Sequence, residues 1–137
     1  MMVLVDTSIW SMAFRIRYVD SDPYVNELKQ LIMELNARMI PPIRQEILSG
    51  VTNSSDFETL RHHLEAFDDI ELLQEDYEEA ARLAILAREK KIAVSATDLL
   101  LCAVSMRCNC AIFSTEKQFE ELTSICSLSL HQPREMS

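Results

Sequence analysis

The chain opens on a short apolar run, Val3–Val5, that stops at Asp6 and is followed at once by two hydroxyl residues, Thr7 and Ser8. A run this short and rich in β-branched residues suits a strand buried on both faces of a parallel sheet. Asp22-Pro23 supplies the N-cap and first-turn proline of a helix predicted to continue to about Ala37. Met39–Ile40 is a second strand candidate, and Pro41-Pro42 precedes a helix near Ile43–Ser49. Ser55-Asp56-Phe57-Glu58 reads as a capping box that opens a helix toward Phe67. Ile70–Leu73 is a third strand candidate. Tyr77, Ala80, Ala81, Ala84 and Ile85 then recur at helical spacing in a segment of good helix formers that ends at Lys90-Lys91. Asp98–Arg107 predicts a largely buried helix, Ala111–Phe113 a strand, Gln118–Leu122 a short helix and Ser127–Leu130 a last edge strand. Alternation of this kind implies an α/β fold with a central parallel sheet flanked by helices.

In such sheets ligands bind beyond the carboxyl ends of the strands, and that is where the polar residues interrupt the pattern. Asp6 ends the first strand, while Ser114, Thr115 and Glu116 follow the strand at Ala111–Phe113. Glu46 stands among Ile43, Ile47 and Leu48 in "PPIRQEILSG", and Asp98 opens the apolar run "TDLLLCAV". Each has a local reading as well. Asp6 can cap a helix, Ser95 to Asp98 and Thr115 to Gln118 have the form of capping boxes, and Glu46 can be a solvated helix position. Together the four acids fall where one cleft can gather them. Two carboxylates about 4 Å apart repel by roughly 4 kcal/mol at an effective dielectric near 20. A hard divalent cation, Mg²⁺ or Mn²⁺, removes that repulsion and bridges carboxylates to phosphate.

The stretches "VDTSIW", "PPIRQEILSG", "AVSATDLLLCAV" and "AIFSTEKQFEEL" occur in the order and at about the spacing of the PIN-domain ribonucleases. The chain resembles the VapC-type toxins of toxin–antitoxin pairs over nearly its whole length. The resemblance implies a PIN-like three-layer fold and metal-dependent cleavage of RNA. It places acidic residues at Asp6, Glu46 and Asp98, and a fourth acid after the strand at Ala111–Phe113. There the chain departs from the family's Thr-x-Asp-x-Asp-Phe pattern and reads Ser114-Thr115-Glu116-Lys117-Gln118-Phe119. Glu116 is the expected fourth acid, Gln118 keeps only an oxygen, and Ser8 and Ser114 are expected supporting hydroxyls. The implied mechanism is in-line hydrolysis by a metal-activated water. The implied partners are a second copy of the chain and an antitoxin protein, with Tyr24–Leu35 and Phe57–Phe67 as candidate apolar surfaces. The alternative is a degenerate, non-catalytic PIN-like interaction domain.

Composition narrows this further. The 137 residues, 48% of them hydrophobic, suit one domain spanning 1–137, and a single Gly leaves no flexible linker. With 22 acids against 13 bases the net charge is −9, so attraction for RNA must be local. Arg15, Arg17, Arg44 and Lys117 lie near the acidic motifs and are candidate phosphate contacts. Cys102, Cys108, Cys110 and Cys126 lack metal-binding spacing and read as reduced, mostly buried thiols. His62, His63 and His131 have no nucleophile partner and read as surface or packing residues. Neither a secretory leader nor a membrane-spanning run is visible, and the expectation is a cytoplasmic protein. A haloacid-dehalogenase-like phosphatase needs a second Asp where Ser8 stands. A receiver domain needs an Asp after Ile70–Leu73, where Gln74-Glu75 stands, and a dinucleotide site needs more glycines than Gly50 alone.

Overall fold

The computed structural model describes residues 1–15 and 22–134. Strand β1, Val3–Val5, is buried on both faces and lies in the middle of a parallel sheet. It pairs on one side with β2, Ala37–Arg38, and on the other with β3, Ala111–Phe113. Leu4 stands opposite Arg38 on one side and Ile112 on the other. Helices α1 (Thr7–Arg15), α2 (Pro23–Met33), α3 (Pro41–Ser49), α4 (Ser54–Leu64), α5 (Gln74–Glu89), α6 (Ala96–Cys108) and α7 (Gln118–Leu122) flank it. The expected α/β class with a parallel sheet is therefore observed.

The predicted elements shift for identifiable reasons. Asp22 caps α2 as expected, its Oδ1 accepting from the Tyr24 and Val25 N–H groups at 2.8 and 3.0 Å. The helix stops at Met33, short of Ala37, because Leu35 turns into the left-handed region at φ 61° and the Asn36 N–H returns to the Leu31 carbonyl. That early stop frees Ala37 to pair with Val3. The second strand accordingly precedes Met39–Ile40. Met39 makes only an isolated bridge to Asp69, and Ile40 is the N-cap of α3.

Helix α4 is capped by Asn53, whose Oδ1 accepts from the Asp56 N–H at 2.8 Å, so the box expected at Ser55 does not form. It ends at Leu64 rather than Phe67 because Arg44 collects the carbonyls of Leu64 and Phe67 and pairs with Asp69. Arg44 is thus a structural clamp on the chain after α4, which corrects its reading as a phosphate contact. The strands expected at Ile70–Leu73 and Ser127–Leu130 reduce to single bridges, Met39 to Asp69 and Ile112 to Leu130. The region 7–15, where the sequence offered only a possible cap at Asp6 and no helix range, is helix α1, and buried Trp10 donates its indole N–H back to the Val5 carbonyl at 3.1 Å. Arg17 and the Arg15 side chain lie outside the described residues.

Helix α6 is apolar all round, with every residue from Leu99 to Ser105 buried, as its sequence predicts. Asn109 ends it in the left-handed region at φ 54°. Helix α5 packs along it, burying Ala80, Leu83 and Ala87. Cys102 and Cys110 are buried while Cys108 and Cys126 are partly exposed, so fewer of the thiols are buried than expected. His62 and His63 are exposed on α4, and His131 packs edge-on against Phe113, matching their reading as surface and packing residues.

Asp76 joins the two helices. Its carboxylate receives two N–H bonds from Arg107, at 2.8 and 2.9 Å, and caps the Leu73 N–H. Burial alone pushes the Asp76 carboxyl up, but Arg107 and the backbone donor outweigh it and hold its pKa below the ordinary value. An acid so lowered stabilises the fold above its unfolded pKa, and that contribution is lost as pH falls through the folded one. Asp76→Ala is expected to lower unfolding stability by about 2–3 kcal/mol at pH 7. In denaturant titrations the gap from the wild type should close as the pH drops below 3.8.

Candidate active site

Asp6 sits where β1 becomes α1. Its N–H continues the sheet by donating to the Phe113 carbonyl at 2.9 Å, and its carbonyl accepts from the Ile9 N–H at 3.1 Å to start the helix. The backbone is thereby fixed on both sides, and the side chain is only 4% exposed. Its Oδ2 accepts from the Ser114 hydroxyl at 2.7 Å and the Ser8 hydroxyl at 3.0 Å. Those two serines also hold the turn after β3, since Thr115 N–H donates to Ser8 Oγ and Glu116 N–H to Ser114 Oγ. The capping box expected at Thr115 to Gln118 does not form, because Lys117 is the N-cap of α7 and makes no side-chain capping bond.

Asp98 stands in the first turn of α6. Here the expected capping box is present, with Asp98 N–H donating to Ser95 Oγ at 3.1 Å and Ser95 N–H to Asp98 Oδ2 at 3.4 Å. Glu46, exposed on α3, accepts from the Thr7 hydroxyl at 2.6 Å. Glu116 is exposed on the turn.

All four acids line one cleft of about 670 Å³, together with Ser8, Ser95 and Gln118. Ser114 reaches it through Asp6. Ser11 and Met12 line it as well, and sequence reading missed both for want of α1. The signal was Thr7 and Ser11, four apart and therefore on one helical face.

The electrostatics of the cleft differ from those elsewhere in the molecule. Among the described residues four carboxylates are buried, Asp6, Glu27, Asp76 and Asp98. Glu27 meets His131 and Arg134, and Asp76 meets Arg107. Asp6 and Asp98 meet only hydroxyl and amide donors, and among the described residues neither forms an ion pair. Burial, with the Asp98 charge adding to it, raises the Asp6 pKa against the lowering by its two serine donors. Such a pair is short of a cation.

The donor set is carboxylate and hydroxyl oxygen, the set that suits Mg²⁺ or Mn²⁺. Among the described residues no three acids already form a close ligand cluster. The acids are instead arranged around a roomy cleft, which suits a cation that keeps several of its waters.

The family model of the PIN domain matches residues 3–124. The chain belongs to the PIN domain family. No curated protein matches it. A chain of FitAcB from Neisseria gonorrhoeae has the same fold, with a TM-score of 0.75, 17% identity, and coverage of 96% of this chain and 98% of that one. VapBC2 from Rickettsia felis, bound to a promoter DNA fragment, gives a TM-score of 0.72 at 18% identity over 96% and 98% of the two chains. VapBC-5 from Mycobacterium tuberculosis, of the VapBC family of toxin–antitoxin systems, gives 0.66 at 18% identity over 94% and 96%. At these identities the likeness is one of fold. This PIN domain also has no helix long and apolar enough to cross a membrane among the described residues.

A raised pKa at Asp6 means that its charged form is disfavoured by folding. The penalty is absent below the unfolded value near 3.8, grows as the pH rises, and is complete above the folded value. Asp6→Asn is therefore expected to melt at a higher temperature than the wild type at pH 7 in EDTA. Melting curves should show the advantage shrinking as the pH is lowered toward 3.8.

Proposed function

We propose that this PIN domain is a metal-dependent endoribonuclease and the toxin of a type II toxin–antitoxin pair, with residues 1–137 acting as one nuclease domain in the cytoplasm. The observation that carries the nuclease reading is the pairing of Asp6 and Asp98, two buried carboxylates that open onto the same cleft and have no cation partner among the described residues. Evolutionary membership of the PIN family and an oxygen-only donor set support the same reading.

Asp6 and Asp98 would hold Mg²⁺ or Mn²⁺ from the floor of the cleft, with Glu46 and Glu116 completing the set from its rim. When bound, the cation supplies charge neutralisation at the scissile phosphate and a water nucleophilic at neutral pH. Ser8 and Ser114 orient Asp6 by donating to one of its oxygens. Thr7 orients Glu46 in the same manner. Lys117, exposed on the turn that carries Glu116, is the candidate phosphate contact that remains among the described side chains once Arg44 is assigned to the fold.

The toxin role is supported by the fold shared with proteins of toxin–antitoxin systems. Both apolar stretches expected to meet a partner leave some surface uncovered. Helix α2 buries Val25, Leu28 and Leu31, while Met33 and Leu35 beyond them are 75% and 77% exposed. On and after α4, Phe57, Leu60 and Phe67 are half-buried. A homodimer and an antitoxin with a basic C-terminal segment are the partners of this reading, since an Arg guanidinium matches a carboxylate bidentately.

Purified wild-type protein is expected to cut RNA with Mg²⁺ or Mn²⁺ and to stop in EDTA. Asp98→Asn should lower the rate at least about 100-fold, since loss of a ligand exceeds the loss of its supporting contacts. Glu116→Gln should raise the metal concentration needed for half-maximal cleavage. Full activity of the Asp98 variant would overturn the assignment of Asp98 to the site, and no cleavage by the wild type with any divalent metal would return the chain to the non-catalytic alternative.

The toxin role has a separate test. Co-expression with an adjacent small reading frame should yield a stable complex without ribonuclease activity. Charge reversal of that partner's C-terminal Arg and Lys residues should restore cleavage. A complex with undiminished cleavage would remove the toxin assignment and leave the nuclease.

A further inference from the structure

Helices α6 and α7 present their first turns to the same side of the cleft, and one side-chain bond joins them. Gln118, the first residue of α7, donates its amide Nε2 to Asp98 Oδ2 at 3.2 Å. The Ser95 N–H falls on that same oxygen. Among the described residues both donors to the Asp98 carboxylate converge on Oδ2, which leaves Oδ1 as the oxygen available to a cation. The turn before α7 is itself tied to the site, because Ser8 and Ser114 bind the N–H groups of Thr115 and Glu116. The backbone that leads into Gln118 is therefore anchored beside Asp6.

An amide at this point has a particular electrostatic effect. Lys or Arg would pair with Asp98 and compete with a cation for it. A carboxylate would repel Asp98 whenever no cation is bound. A neutral donor orients Asp98 while leaving its charge in place. We infer that Gln118 is a positioning residue for the metal site, fixing the rotamer of Asp98 through Oδ2 and limiting the cleft to the four carboxylates Asp6, Glu46, Asp98 and Glu116. The inference rests on the metal-dependent reading of the cleft and assigns Gln118 no contact with substrate.

The test is Mn²⁺ titration by calorimetry, with melting curves in Mn²⁺ and in EDTA, on the full chain and its Gln118→Leu, Gln118→Glu and Asp98→Asn variants. Gln118→Leu should bind Mn²⁺ about tenfold more weakly, the loss typical of removing a group that supports a metal ligand. Gln118→Glu, nearly the same shape, should melt lower than the wild type in EDTA and gain more from Mn²⁺, because the cation then relieves a carboxylate repulsion. This variant carries the test alone if the Leu variant does not fold.

A residue that merely packs α7 against α6 would change melting equally in the two conditions, and that result overturns the inference. Equal Mn²⁺ affinity in wild type and both Gln118 variants, with binding lost in Asp98→Asn, overturns the role of Gln118 and keeps the metal site. A wild type that binds no Mn²⁺ overturns both.

Discussion

Parallel pairing of β1 with β3 continues one residue past the end of β1, where the Asp6 N–H meets the Phe113 carbonyl, and the site depends on that last rung. It places a carboxylate at the mouth of the sheet with no freedom to retreat. The chain must turn there into α1, so Asp6 also lends its carbonyl to the helix start. A side chain held by its backbone from both directions stays buried even though burial disfavours its charge. Ser8 in the first turn of α1 and Ser114 just after β3 soften that cost with two hydroxyl bonds. They add no charge, so the acid is oriented and remains short of a cation.

The other buried acids show that the fold has cations to spend where structure alone is at stake. Glu27 takes His131 and Arg134, which tie the chain near its end to α2, and Asp76 takes Arg107, which ties α5 to α6. For both acids burial pushes the pKa up, and the basic partners with backbone donors bring it below the ordinary value. Asp6 shifts the opposite way. Among the described residues Arg107, Arg134 and Arg44 go to structural carboxylates and carbonyls, and no Lys or Arg pairs with Asp6 or Asp98. The contrast separates acids that hold the fold from acids the fold holds in readiness.

The same distinction explains what could be read from the sequence. Val3–Val5, Ala111–Phe113 and the run after Asp98 are legible because short buried strands and an all-apolar helix leave unbroken hydrophobic patterns. The box at Ser95 is legible because its bonds are local. The position of β2 is not, since it depends on Leu35 entering the left-handed region, where nothing in its side chain favours that conformation. Arg44 misled for a related reason. Its partners lie 20 to 25 residues away along the chain, and a charge beside an acidic motif looks free until the turn that folds over it is known. Asp6, Glu46, Asp98 and Glu116 were visible as polar interruptions at strand ends and helix starts, and the structure brings them to one cleft. Their hydrogen-bonding partners were only partly visible, because Gln118 reaches Asp98 across two helices and α1 was not foreseen.

On the proposed reading, the net charge of −9 and the acidic cleft impose one further constraint on how RNA is met. At physiological ionic strength fields from exposed charges fade over about 8 Å, so the overall charge slows approach and decides little once the strand is in contact. Inside the cleft the opposite holds. Asp6 and Asp98 are buried, so their charges are weakly screened, and a phosphate entering without a cation would meet two carboxylates that pair with no base among the described residues. On this reading substrate binding and chemistry would share one requirement, a divalent ion held by Asp6 and Asp98. Metal concentration would then govern the affinity for RNA as well as the rate of cleavage, and a basic side chain lodged in the same place would block both steps at once.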